Sequence, residues 1–156
     1  MDKLSKKIQQ LEEALVKSEE RFRTMFDQSP IGVALIDSIN GRIYELNNRY
    51  AEIAGRSLDE MASIDWMSIT HPDDLQDDLN NMIALNSGKI SSFNMEKRYN
   101  KPDGSCVWVN LTVAPTKVED KNKPIHLAMI EDITANKKNE EKIRNYQIHL
   151  EDEIAR

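Results

Sequence analysis

Three histidines, one cysteine, two acidic pairs and one oddly placed lysine are the residues with which this 156-residue chain could do chemistry. A thiol close to a histidine would make a nucleophile, and histidines clustered with carboxylates would make a metal site. The spacing offers neither. His71, His126 and His149 lie far apart in sequence, and Cys106 stands without a histidine beside it. No Gly-x-Ser-x-Gly turn presents a serine, and no glycine-rich loop is built to cradle a phosphate. Asp73-Asp74 and Asp77-Asp78 recur at helical spacing and read as a solvated acidic face, not as a general acid and base. His71, just before Pro72, reads as a structural turn residue, and His149 falls on a charged helix. The expectation is no metal and no catalysis by this chain itself.

Lys97 carries the remaining possibility. Side chains alternate across a strand, so Phe93, Met95, Lys97 and Tyr99 share one face. An ammonium in that apolar phase must meet a carboxylate or carry its charge to the rim. One reading has Lys97 hold a small anionic ligand, such as a carboxylate, together with Tyr99 or His126. The preferred one lets sheet twist bring Lys97 to water. The same alternation turns Val109 and Leu111 inward on the next strand, and His126 and Ile130 inward on the last. With Trp66 and Met82 these residues are the candidate lining of a ligand cleft. Methionines 61, 67, 82 and 95 make a soft interior, and at this spacing they read first as plain core. Leu127 and Met129 face outward on the last strand and call for a cover, most simply the N-terminal helix of this chain or of a partner.

The elements that must position these residues follow from periodicity. Leu4, Ile8, Leu11, Leu15, Ser18, Phe22 and Met25 alternate steps of four and three without Gly or Pro, the seam of a two-stranded coiled coil over residues 1–25 or, as the alternative, the face of an amphipathic helix folded onto its own domain. Ser29-Pro30 ends that helix. A strand over Ile31–Asp37, a turn, and a strand over Arg42–Leu46 make a hairpin. Asn47–Ala54 closes at Gly55, Ser57 with Glu60 opens a short helix, and His71-Pro72 opens a longer one that ends at Gly88. Strands then cover Ser92–Asn100, Ser105–Val113 and Ile125–Ile133, with Pro102-Asp-Gly104 and Glu119–Lys123 as turns. Asp132 or Thr134 caps a last helix that carries Ile143, Tyr146, Leu150 and Ile154 on one side. The order β-β-α-α-α-β-β-β gives an α+β fold, a five-stranded antiparallel sheet with helices on one face. A net charge of −6 argues against nucleic acid as the main partner. The absence of any run of eighteen apolar residues argues against a membrane segment, and the single cysteine fits a reducing cytoplasm.

Ser18-Glu-Glu-Arg-Phe-Arg23, Phe26, Ser29-Pro-Ile-Gly32, Asn47, Gly55, His71-Pro-Asp-Asp74, Lys101-Pro-Asp-Gly104, Trp108 and Asp132-Ile-Thr134, in this order, resemble a bacterial PAS domain with its C-terminal cap, over roughly Glu19 to Lys142. The resemblance implies a cytoplasmic sensory or dimerisation unit placed before a histidine kinase or a cyclic-di-GMP enzyme. The tail from Leu150 to Arg156 looks more like the linker to a kinase. Flavin photosensors of this family need a cysteine near the position of Trp66, and its oxygen-binding haem sensors need a histidine near Asp77. Neither is present, so a flavin photoadduct and haem are disfavoured, leaving no cofactor or a small organic ligand. The implied organisation is a coiled-coil helix over 1–25, a PAS domain over 26–134 and a signalling helix over 135–156. The implied complex is a parallel homodimer covalently linked to an output domain, with Asp132 and Thr134 as the joint that transmits the signal. Rival readings are a cyclase or phosphodiesterase output, or a ligand-free dimerisation spacer.

Overall fold

The first helix begins where Asp2 accepts the Ser5 N–H on its carboxylate at 2.7 Å. In the computed structural model, which describes residues 2–117 and 123–155, this helix (α1) runs from Lys3 to Gln28, three residues beyond the expected end. Ser29 then turns extended, as a residue before proline must. Strands β1 (Gly32–Asp37) and β2 (Ile43–Leu46) form the hairpin, and α2 (Asn48–Ala54) stops at Gly55, whose φ of 71° only glycine adopts without strain. Ser57 caps α3 (Leu58–Met61) by accepting the Glu60 N–H. A helix that periodicity did not reveal, α4 (Trp66–Ile69), follows. It is a single turn started by the Asp65 carboxylate, too short to show a repeat. The Nδ1 of His71 accepts the Asp73 N–H at 3.1 Å and so caps α5 (Pro72–Asn86), the structural role its sequence position suggests.

Strands β3 (Phe93–Asn100), β4 (Cys106–Pro115) and β5 (Ile125–Asp132) complete one antiparallel sheet of order β2-β1-β5-β4-β3, and α6 (Thr134–Ala155) leaves it. The turn expected over Glu119–Lys123 lies, except for Lys123, outside the described residues. The first and last strands of the chain meet at the centre, where β1 pairs with β5 from Gly32 opposite Ile130 to Asp37 opposite Ile125. One face of the sheet carries Ala34, Ile36, Tyr99, Val107, Val109, Leu111, Val113, Ala128 and Ile130, buried with Tyr50, Ile53, Met61, Trp66, Ile69 and Met82 of the helices in a single core. Burying a side chain of this size contributes about 1.5–3 kcal/mol, so this layer is what holds the fold. On the outer face Leu127 and Met129 stay half-buried, while α1 packs against α2 and, among the described residues, buries only Phe26.

Among the glycines, Gly32 is the most tightly enclosed. A Cβ there would stand 2.9 Å from the Tyr50 Cα and 2.6 Å from the Ile130 Cγ1, and the first of these is backbone that cannot swing aside. Gly32→Ala is expected to lower stability by about 1–3 kcal/mol through overpacking, read as a lower urea midpoint at unchanged slope. An unshifted midpoint would contradict this packing.

Candidate functional site

Lys97 neither reaches water nor awaits a ligand with its charge exposed. It is 1% exposed, and its ammonium pairs with the carboxylate of Asp78, itself 0% exposed, on α5. The reading in which sheet twist brings this lysine to water is corrected on this point: the carboxylate that its ammonium was expected to meet is supplied by the chain. Asp78 likewise leaves the solvated acidic face assigned to it, because Leu75, Leu79 and Met82 on the same side of α5 carry it into the core. The Thr70 hydroxyl accepts a second hydrogen bond from the Lys97 ammonium at 3.1 Å while donating its own proton to the Trp66 carbonyl at 2.7 Å. The rings of Tyr99 and Trp66 flank the ammonium, at 4.7 and 5.4 Å from their centroids. Burial pushes the lysine pKa down, and the Asp78 carboxylate opposes it. One carboxylate oxygen, Asp78 Oδ1, is buried without a hydrogen-bond partner.

Beside this pair the Tyr50 and Tyr99 hydroxyls bond to each other at 2.8 Å. Burial raises both, Tyr50 to about 12, so both stay protonated and uncharged across the physiological range. Of the candidate cleft residues, Trp66, Met82, Lys97, Tyr99, Val109, Leu111 and Ile130 come together in this interior, with Phe93 and Met95 packed against its margin. His126 stands apart, half-buried at the far end of β5. There burial lowers its pKa, against the raising influence of the Pro124 backbone and Asp37, and its Nδ1 has no partner. Sequence reasoning missed Asp78, Thr70 and Tyr50. The signal for Asp78 was its place within the apolar stripe of α5, between Leu75, Leu79 and Met82.

Two polar joints tie the flanking helices to this core. Asn47, 0% exposed, accepts the Val33 and Tyr50 N–H groups on Oδ1, at 2.9 and 3.0 Å. Its Nδ2 donates to the Phe26 and Ile31 carbonyls, at 2.7 and 3.1 Å. The amide is fully used, and it fixes the end of α1 to β1 and α2. At the other end the Asp132 carboxylate accepts the Thr134 N–H at 2.9 Å. The Thr134 hydroxyl does not cap its own helix; it accepts the Trp108 N–H at 3.1 Å. Seam residues Leu4, Ile8, Leu11, Leu15 and Phe22 lie exposed along α1, outside the core.

The chain matches the PAS fold family over residues 43–130, more than half its length. It belongs to that family. The PAS domain is 34% identical over 125 residues to the probable diguanylate cyclase DgcE of Escherichia coli (strain K12), covering 80% of this chain and 11% of that protein. It is 26% identical over 144 residues to the sensor histidine kinase TmoS of Ectopseudomonas mendocina, covering 92% of this chain and 15% of that protein. The chain therefore spans a small fraction of these relatives' length. In fold it is similar to the PAS domain of an HTR-like protein from Haloarcula marismortui, with a TM-score of 0.65 at 22% identity over 80% of this chain and 99% of that one. It is also similar to a sensory box histidine kinase/response regulator from Burkholderia thailandensis E264, with a TM-score of 0.64 at 20% identity over 84% of this chain and 98% of that one.

The buried pair of the PAS domain makes a paired-mutant test decisive. Lys97→Met or Asp78→Leu alone leaves one charge unpaired and is expected to cost about 3–5 kcal/mol, whereas both together are expected to be near neutral or stabilising. Additive losses in urea unfolding would show that the two side chains do not act as a pair.

Proposed function

We propose that this PAS domain is a cytoplasmic sensory or relay module of a bacterial signal-transduction protein, working as a parallel homodimer joined by its flanking helices. The observation that carries the reading is the state of α1. Its seam residues Leu4, Ile8, Leu11, Leu15, Phe22 and Met25 are 47% to 68% exposed, an apolar stripe interrupted only at Ser18 that a single chain leaves in water. Ile143, Tyr146, Leu150 and Ile154 repeat the situation on α6. A second copy that brings the same stripes buries both. The module then passes a change in the sheet or its core to α6 through Asp132 and Thr134, and the outgoing helices rotate or change register.

The output domain is a signalling enzyme linked beyond α6, either a histidine kinase, as the linker pattern after Leu150 favours, or a diguanylate cyclase, as the 34% identical relative favours. The core of Trp66, Met82, Tyr99, Val109, Leu111 and Ile130 around the Lys97–Asp78 pair is the element in which a stimulus is sensed, with or without a small organic ligand. No described helix is long and apolar enough to cross a membrane.

Native mass spectrometry tests the assembly. Twice the chain mass is expected for the parent, and the chain mass alone for Leu11→Glu with Leu15→Glu. A fixed extra increment on the dimer would identify a retained ligand, and a monomeric parent would overturn the dimer reading. In the full-length protein, Asp132→Ala or Thr134→Ala is expected to keep fold and dimer while losing the response of the output enzyme to its stimulus. An undiminished response would remove these residues from the relay.

A further inference from the structure

Neighbouring residues of β3 point to opposite faces of the sheet, and both are held by α5. Lys97 reaches Asp78 inside, and Arg98, on the outer face, forks onto Asp74 one helical turn earlier, with contacts of 2.9 and 3.0 Å. Asp74 also accepts the Arg98 backbone N–H at 2.8 Å. Partial burial pushes the Asp74 carboxyl up, but its hydrogen bonds from Arg98 outweigh this and hold it below the usual carboxylate range. Arg98 pairs across the ladder with Trp108 of β4, and its guanidinium lies 5.0 Å from the centre of the Trp108 ring. The ammonium of Lys137 on α6 lies 4.8 Å from the same ring and is held there by Glu96 of β3 at 2.8 Å.

The backbone of Trp108 serves the same junction. Its carbonyl accepts the Ile133 N–H at 2.9 Å and its N–H donates to the Thr134 hydroxyl at 3.1 Å. Trp108 is the first position beyond the β4–β5 ladder, whose last pair is Val109 with Asp132. The start of the outgoing helix is therefore held by one residue, at Ile133 just before it and at Thr134 and Lys137 within it, and that residue is in turn contacted by the arginine that α5 positions.

We propose that Trp108 is the coupling residue of the module: Asp74, Arg98, Trp108 and Lys137 form one linked stack through which the position of α5 over the core sets the stability of the first turns of α6. This rests on the relay reading above and names its route. A shift of α5 along β3 moves Asp74 and Asp78 together, so a change around the buried Lys97 is delivered to the outer face by Arg98. Arg98 then keeps or surrenders its contact with the indole ring that also holds Lys137. Aromatic–cation contacts of this kind are modest, which suits a joint that must loosen without unfolding the sheet.

Amide hydrogen exchange on the whole chain reads this directly, because α6 begins 60 residues after Asp74 in sequence. Asp74→Asn is expected to speed exchange in the first two turns of α6 about two- to fivefold, while amides of the β4–β5 ladder keep their rates. Lys137→Gln should do the same, and the double variant should add nothing to the larger single effect. Trp108→Phe, which keeps a ring and both backbone bonds, should give a smaller acceleration than Trp108→Leu. Unchanged α6 exchange in Asp74→Asn, or additive effects in the double variant, would each overturn the proposal. A dimer with unlinked exchange refutes this route alone, whereas a monomer with linked exchange refutes the dimer reading alone.

Discussion

An ammonium cannot stay in an apolar core without a counter-ion, and that constraint on Lys97 organises most of this domain. Leaving the charge unpaired there would cost several kcal/mol, so α5 must lie where Asp78 meets β3. Thr70 has to be near as well, which places the end of α4, and Trp66 and Tyr99 have to present their rings. The helical layer is thus positioned by a polar requirement as much as by apolar burial. The surrounding aliphatic residues of β4 and β5 supply the bulk of the stabilisation, and the pair supplies the register of one helix against one strand.

This arrangement gives the two faces of the sheet a common owner. Asp78 and Asp74 stand four residues apart on α5 and hold Lys97 and Arg98, which are adjacent on β3 and point opposite ways. A purely apolar contact between α5 and the sheet would let the helix slide by small increments. Two charge-assisted pairs with fixed geometry make such sliding a discrete event, felt inside and outside together. The neutral Tyr50–Tyr99 pair next to the ammonium adds no charge of its own, so the charge at this point of the interior comes from Lys97 and Asp78.

Most of the fold was legible in the sequence because its elements are bounded by strong local chemistry: Ser29-Pro30, Gly55, Ser57 with Glu60, His71-Pro72 and Pro102-Asp-Gly104 each mark an end that the structure also shows. Strand alternation placed Val109, Leu111 and Ile130 inward, where they are. What escaped was of two kinds. The four-residue α4 has no repeat to detect, yet it carries Trp66 into the core. Asp78 was hidden by its neighbours, since an acidic residue among Asp73, Asp74 and Asp77 reads as surface unless its phase is compared with Leu75, Leu79 and Met82. The partner of a buried charge lies far away in sequence, 19 residues here, and only the fold brings the two together.

The incoming helix is pinned to β1 by Asn47, and the outgoing helix is pinned to β4 by Trp108. In the strand order β2-β1-β5-β4-β3 these two anchorages are separated by β5 alone. Adjacent strands are rotated by roughly 20–25°, so the angle between the two ports is the sum of two inter-strand rotations about that central strand. β5 is in effect an axle. Any event that flattens or tightens the pleat around it, whatever its chemical origin, turns the two anchorages relative to each other.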